Sequence, residues 1–189
     1  MQVLKDEIRD NILRVAEDLF YEKGFEEATT RGIAALVGIS VSNLYLYYEN
    51  KEALFSAVVD PFHQYINLRL SKFLERKNPE EDISERICEL VMDFVVKDHR
   101  KFILLADKSR GTKYEDAKMK AVRILQGHIK SMLSKVIYDK ELMSFIFANN
   151  LISGIIEIAR NYRDEIQCED SLMSLITYHI NGSKALFEK

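Results

Sequence analysis

Apolar residues recur at every third or fourth position along most of this 189-residue chain, which is the spacing of an α-helix and not of a strand. The first such stretch covers residues 6–23, and its apolar side is wide enough to support other helices. Its apolar positions are Ile8, Ile12, Leu13, Val15, Ala16, Leu19 and Phe20. Gly24 follows directly, and because glycine is common just past a helix end, we predict that this helix stops there.

Two shorter helical patterns follow over 30–37 and 41–48, separated by the turn Gly38-Ile39-Ser40. The glycine gives the turn its conformational freedom, and the serine hydroxyl can cap the helix that follows. Leu44 and Tyr48, four positions apart, are predicted to face inward. Two short helices joined by a tight turn form a helix-turn-helix, whose second helix fits the major groove of DNA.

The remainder of the chain predicts an all-α fold with a larger helical body. Asn50 can cap a fourth helix over 51–60, and Asp60-Pro61 predicts its end or a kink, because proline fits the first turn of a new helix and not the interior of an old one. We therefore divide the chain into a DNA-binding domain over 1–50 and a helical domain over 51–189, with 51–60 as the connector. Further helical segments are predicted at 62–74, 83–97, 102–105, 114–137, 140–162 and 171–188.

Composition supports a helical globular protein, with 47% apolar and 30% charged residues and only 7 Gly and 2 Pro. The net charge is −3, and the first 60 residues carry 6 Lys and Arg against 11 Asp and Glu. This balance argues against a domain that coats nucleic acid through charge alone. DNA binding would have to rely on local cations such as Arg31 and Lys51.

Nothing in the sequence predicts an enzyme, a metal site or a cofactor. The four histidines lack metal-ligand spacing, and no nucleophile elbow, phosphate-binding glycine loop or paired catalytic carboxylate is present. Cys88 and Cys168 lie far apart in the sequence, and we expect reduced thiols, with a disulfide as the alternative. No signal peptide or apolar run of membrane-spanning length is visible, so we expect a soluble cytoplasmic protein with no membrane partner.

The first third of the chain resembles the TetR family of bacterial repressors. The matching residues are Thr29, Ile33-Ala34, Gly38-Ile39-Ser40, Leu44-Tyr45-Leu46-Tyr47-Tyr48 and Lys51-Glu52-Ala53-Leu54. The resemblance implies double-stranded operator DNA as the partner, with Arg31 reaching a base and Lys51 a phosphate. The residues that it assigns to DNA contact are Thr29, Thr30, Arg31, Val41, Ser42, Asn43, Tyr45, Tyr47 and Lys51.

The same resemblance implies a homodimer that a small, largely apolar effector releases from a palindromic operator. We predict a dimer seam on the last two helices, where apolar residues share one face. Its residues are Phe145, Asn149, Ser153, Leu172, Leu175, Ile176, His179 and Ile180. We predict an effector cavity in the body, lined by Phe94, His99, Phe102, Tyr114, His128 and Met132. Contact with the ligand remains the alternative role for Asn149, Asn150 and Ser153.

Two functions from different classes fit these observations. The first is a ligand-responsive transcriptional repressor. The second is an interaction protein of the same fold that uses DNA as a platform for a protein partner, as a few TetR-like division regulators do. A footprint released by a small molecule would support the first, and a partner captured only in the presence of DNA would support the second.

Overall fold

The computed structural model describes residues 2–75, 83–133 and 138–187, and these residues form helices and connecting turns without a strand. The fold is all-α, as predicted. Its helices are α1 (Gln2–Glu27), α2 (Thr30–Val37), α3 (Val41–Leu44), α4 (Lys51–Glu75), α5 (Ile83–Asp107), α6 (Ala117–Met132), α7 (Lys140–Arg160) and α8 (Glu165–Phe187). Helices α1 to α3 form the small N-terminal unit, and α4 to α8 form the body.

Gly24 breaks α1 where the sequence predicted the helix to stop. Its backbone has φ 77° and ψ 166°, a conformation that is essentially restricted to glycine. The turn that follows buries Phe25, whose ring lies 5.4 Å from the ring of Phe55 on α4. The break therefore turns the chain back into the core before α2 begins.

Replacing Gly24 with Ala should lower the free energy of unfolding by about 1–3 kcal/mol, because a Cβ atom is strained in this backbone conformation. Gly127 is the matched control, since it lies inside α6 with open space around it. Gly127→Ala should raise stability by roughly 0.5–1 kcal/mol, because alanine is the better helix former. Urea titrations of both variants measure the difference. Equal stability of the two variants would contradict the role assigned to Gly24.

Helix α4 continues without interruption from Lys51 to Glu75, with Pro61 inside it. Of the two predicted alternatives, an end or a kink, the helix end at Pro61 is therefore wrong, and 51–60 is only the first part of a longer helix. Proline removes one backbone hydrogen bond and disfavours a helix interior. Val59 and Phe62, on either side of it, are 0% and 5% exposed, and we attribute the continuity of α4 to the burial of this face.

Helix α5 joins the two segments predicted at 83–97 and 102–105 through a bend at Asp98. The Asp98 carboxylate accepts a hydrogen bond from the backbone N–H of Lys101 at 3.0 Å, as an N-cap residue does. The second segment buries Leu104 completely. The second apolar pattern therefore belongs to a new helical segment that begins at the bend, where Asp98 has a non-helical backbone.

The helices α6 and α8 begin at other positions than the sequence predicted. Helix α6 starts at Ala117 and not at 114, because the preceding residues form a hydrogen-bonded turn in which the Ser109 hydroxyl donates to the Tyr114 carbonyl at 3.0 Å. Its predicted end at 137 lies outside the described residues. Helix α8 starts earlier than 171, because Asp164 accepts a hydrogen bond from the N–H of Gln167 at 2.8 Å and caps it.

Two apolar clusters form the core. The first joins α1 to α4 with parts of α5 and the turn before α6, and it centres on Phe20, Phe55 and Leu104. The second lies between α5, α7 and α8 and includes both cysteines. Cys88 and Cys168 are free thiols, in agreement with the expectation of reduced cysteines, and burial raises the pKa of Cys168 to about 11.

The core of the body corrects part of the predicted dimer seam. Leu172 and Ile176 are 0% and 1% exposed within the single chain, where they pack in the second cluster with residues of α5 and α7. They are therefore not available to a partner. The apolar face of α8 that motivated the prediction is covered largely by the chain itself.

By length and composition alone, α7 is apolar enough to cross a membrane, although the sequence analysis recognised no such run. The helix nevertheless contributes Leu151, Ile155, Ile156 and Ala159 to the second apolar cluster. Gly154 also allows a close approach to α8, since a Cβ atom at this position would lie 2.8 Å from Leu175 Cδ2. This packing identifies one face of α7 as part of the protein core.

Candidate nucleic-acid interface

Both ends of α2 are capped by the residues that the sequence predicted to lie at its borders. The Thr29 hydroxyl accepts a hydrogen bond from the N–H of Gly32 at 3.0 Å. Gly38 ends the helix in the left-handed region at φ 81° and ψ 28°, and its N–H donates to the carbonyl of Ala34. Ile33 and Ala34 are buried in the first apolar cluster, which α1 and α2 share. Local chemistry and burial thus fix α2 as the first helix of the motif.

Helix α3 is shorter than the predicted 41–48, but helical turns extend it. The Ser40 hydroxyl accepts a hydrogen bond from the N–H of Asn43 at 3.1 Å and caps the helix. Beyond Leu44, the N–H of Leu46 donates to the Asn43 carbonyl at 3.1 Å and that of Tyr47 to the Leu44 carbonyl at 3.0 Å. The turns keep the predicted orientation, because Leu44 and Tyr48 are both buried.

The outer side of α3 presents uncharged groups. Ser42 is exposed and Asn43 is half-buried, whereas the half-buried Val41 and Tyr47 pack against the first apolar cluster. The exposed fraction of Tyr45 is 46%. Hydroxyl and amide groups of this kind can bind base edges or phosphate oxygens in the major groove.

Thr30 and Arg31 are the two predicted contact residues that lie within α2. The hydroxyls of Thr30 and Tyr45 are hydrogen-bonded at 3.3 Å, so the two helices are linked on their outer side. Arg31 follows Thr30 and is exposed. The structure therefore places Thr30 and Tyr45 together, while Thr29 is occupied in capping α2.

Lys51 has a different role from the predicted phosphate contact. Its ammonium group donates hydrogen bonds to the carbonyls of Phe25, Glu26 and Ala28 at 2.6, 3.3 and 3.0 Å. It also lies 4.2 Å from the centroid of the Phe25 ring. Burial lowers the pKa of the Lys51 ammonium, while the Glu26 carboxylate opposes this effect. Because an ammonium has three N–H donors, these three carbonyls account for all of them.

Leu46 lies in the turn after α3 and is 82% exposed, but it was not among the predicted contact residues. The sequence does contain a sign of this exposure, because Leu46 is an apolar residue between Tyr45 and Tyr47, three positions after Asn43. An exposed leucine of this kind adds an apolar group to a surface that is otherwise polar.

The turn between α5 and α6 holds the N-terminal unit against the body. The N–H of Phe25 donates to the Lys108 carbonyl at 2.9 Å, and the N–H of Lys113 donates to Glu52 Oε1 at 3.2 Å. The Tyr114 hydroxyl donates to the Asp60 carboxylate on α4. This turn therefore contacts both the end of α1 and the first turns of α4.

A second contact between the two parts is ionic and joins α1 to the bend in α5. Arg100 binds Asp18 at 2.6 Å and Glu17 at 3.2 Å, and Lys101 binds Glu17 at 3.1 Å. These side chains are partly exposed, so solvent screens the attraction. The geometry nevertheless fixes the direction of α1 relative to the beginning of the second α5 segment.

The residues predicted to line an effector cavity are not gathered in one place. Phe94 and Tyr114 are buried in the first apolar cluster, and Phe102 packs against both clusters. The ring of His99 stacks on that of Tyr162 at 4.7 Å, and burial lowers its pKa. His128 is exposed, so its predicted inward orientation is wrong.

The exposure pattern of α6 explains the error at His128. Val122 is fully buried, whereas Ile124, four positions before His128, is 71% exposed, so the side of the helix that carries His128 faces outward. The side chain of Met132 lies outside the described part of the structure. An open surface pocket of about 90 Å³ lies between α4 and α5, and it is lined by Arg69, Lys72, Phe73, Arg86, Glu89 and Leu90.

Helices α1, α2 and α3 pack together, and α2 and α3 form a capped helix-turn-helix with an exposed polar outer side. This arrangement is that of helix-turn-helix transcription regulators. A family model described as bacterial regulatory proteins, tetR family, matches residues 12–58, which include α2, α3 and most of α1. This N-terminal part of the chain is therefore similar to the TetR family of bacterial regulatory proteins. The family consists of transcriptional regulators and not of enzymes.

Individual relatives and solved structures support this assignment. The chain is 32% identical over 96 residues to the HTH-type transcriptional regulator YdgC of Bacillus subtilis, a match that covers 49% of each chain. It is 32% identical over 92 residues to the nucleoid occlusion factor SlmA of Pasteurella multocida, covering 48% of this chain and 46% of the relative. The chain thus matches about half the length of these curated relatives.

Solved structures extend the comparison to the body, which is formed by α4 to α8. A TetR-like transcriptional regulator from Rhodococcus sp. RHA1 matches 93% of this chain and 96% of its own with a TM-score of 0.61. The identity is 20%, so the likeness establishes the fold alone. The arrangement of α4 to α8 is accordingly that of the TetR-like body.

Proposed function

We propose that the protein is a transcriptional repressor that binds a specific sequence in double-stranded DNA through α3 and the turn after it. The observation that carries this proposal is the capped, exposed outer side of α3, mounted on a helix-turn-helix whose inner side is fully packed. The absence of Lys and Arg between Ser40 and Asn50 favours reading of bases by uncharged groups over attraction to any DNA. We place the protein in the cytoplasm, where it would associate with the nucleoid.

The repressor acts as a homodimer on a palindromic operator in this proposal. The predicted seam residues Phe145, Asn149 and Ser153 are half-buried on α7. Two other side chains of these helices are more exposed: Leu142 on α7 is 52% exposed, and Tyr178 on α8 is 73% exposed. Such exposed apolar side chains favour contact with a second copy. Leu175, His179 and Ile180 are also half-buried and complete the proposed seam.

A small effector in the body would release the dimer from DNA. The contacts of Lys113 with Glu52 and of Tyr114 with Asp60 support this part of the proposal, because they connect the body to the first turns of α4. A ligand that shifts the turn before α6 would therefore move α4 and the N-terminal unit with it. The coupling needs only about 1–3 kcal/mol of preference for the state that does not bind DNA.

Selection of duplexes from a random DNA library tests the proposed function, and Arg31 supplies the informative variant. The wild-type protein should enrich a palindromic site and protect two half-sites about one helical turn apart. Arg31→Ala should weaken binding to that site by roughly 1–3 kcal/mol and relax the preference at one position in each half-site. Failure of the wild-type protein to enrich any sequence would contradict sequence-specific binding.

Arg31 has an alternative role at a phosphate. In that case Arg31→Ala would weaken binding to the selected and to scrambled duplexes by the same factor, and would reduce the slope of log affinity against log salt by about one unit. Titration of both duplexes at several salt concentrations distinguishes the two roles. Equal losses on both duplexes would leave specificity to the uncharged residues of α3.

The second candidate function is an interaction protein that uses DNA as a platform for a protein partner. The observation in its favour is that SlmA of Pasteurella multocida, a nucleoid occlusion factor, is as similar to this chain as YdgC is. A partner that binds the protein only when the selected duplex is present would support this function. Release of the duplex by a small molecule would support the repressor instead.

A further inference from the structure

Leu46 is an exposed apolar side chain on the element that is proposed to enter the major groove. Its exposed fraction is 82%. Its N–H donates to the Asn43 carbonyl at 3.1 Å, which is the hydrogen bond of a three-residue helical turn. Side chains three positions apart in such a turn lie on the same side of the axis. Leu46 therefore extends the side of α3 that carries Asn43.

The chemistry of this surface limits what Leu46 can recognise. The polar side chains near it in sequence carry hydroxyls, an amide and the Glu49 carboxylate, and no cation occurs between Ser40 and Asn50. Each base pair presents a distinct pattern in the major groove, and the C5-methyl group of thymine is the feature that an apolar side chain recognises. A leucine at this place is suited to a methyl group and not to a phosphate oxygen.

We propose that Leu46 is a specificity-determining residue that packs against the C5-methyl group of one thymine in each half-site. The proposal rests on the proposed function, because it requires the protein to bind duplex DNA. It adds that one base of each half-site is thymine and that the protein recognises this base by its methyl group. The hydroxyl and amide groups of Ser42 and Asn43 would read neighbouring base edges by hydrogen bonding.

Replacement of each thymine in the selected duplex by deoxyuridine tests this proposal, because only the methyl group is removed. The wild-type protein should lose affinity by about four-fold per half-site at one position, which corresponds to the burial of one methyl group. Leu46→Ala should bind the unmodified duplex more weakly by a similar factor and should no longer distinguish thymine from deoxyuridine. Leu46→Met should retain the distinction.

Leu36 is the matched control, since it is a leucine on α2 that is 65% exposed. Leu36→Ala should keep the response to deoxyuridine, and thermal unfolding should be unchanged for both alanine variants because both side chains are exposed. The proposal is overturned if the wild-type protein is insensitive to every replacement, if Leu46→Ala stays sensitive, or if the selected half-site contains no thymine. Failure to select any duplex would overturn the proposed function itself.

Discussion

Ile176→Glu is expected to unfold the protein. Ile176 is 1% exposed and lies in the apolar cluster between α5, α7 and α8. A carboxylate at this position would be buried without a partner, and such changes cost more than about 4 kcal/mol. That is a large part of the roughly 5–15 kcal/mol that stabilises a typical domain. Far-UV circular dichroism and thermal unfolding measure the loss.

Tyr178→Glu is the matched variant for this prediction, because Tyr178 lies two positions away on α8 and is 73% exposed. It should leave the helical content and the unfolding temperature close to those of the wild-type protein. If α8 forms the dimer seam, light scattering should show that this variant is monomeric. A folded Ile176→Glu variant, with unchanged helicity, would contradict the burial described for Ile176.

The second large effect is expected at Lys51. Replacing this residue with Ala should lower the free energy of unfolding by about 1.5–3 kcal/mol, the range for hydrogen bonds made by a charged group. The physical reason is that the carbonyls of Phe25, Glu26 and Ala28 lose the ammonium that binds them. Urea titration measures the stability, and DNA titration at several salt concentrations measures the role in binding.

Lys51→Met separates the packing of the side chain from its charge. The methionine keeps an apolar stem beside the Phe25 ring but donates no hydrogen bond, so it should lose most of the stability that Lys51→Ala loses. Neither variant should change the salt slope of DNA binding, because the ammonium is occupied by carbonyls. A slope reduced by about one unit with unchanged stability would restore the phosphate contact that the sequence predicted.

The local features of the fold could be predicted from the sequence because neighbouring residues determine them. The capping residues Thr29 and Ser40 and the glycines Gly24 and Gly38 act within three or four positions of themselves. The helical period of the apolar residues likewise identified the long helices. These signals depend on short stretches of chain, and the structure agrees with them.

The errors at Lys51 and Ile176 concern contacts between residues that are distant in the sequence. Lys51 binds carbonyls 23 to 26 positions before it, and its own neighbours give no sign of this. An apolar face on a helix such as α8 shows that something covers it, but not whether the cover is the same chain or a second copy. For this reason Ile176 was predicted at a seam and is found in the core.

The measurement that tests the central claim most directly is the ratio of affinities for a selected duplex and a scrambled duplex of the same length. Both titrations should use the wild-type protein at one physiological salt concentration, since affinities for DNA depend strongly on salt. Sequence-specific binding predicts that the selected duplex binds at least about 10³-fold more tightly. A ratio near one would contradict the claim that this helix-turn-helix reads a specific DNA sequence.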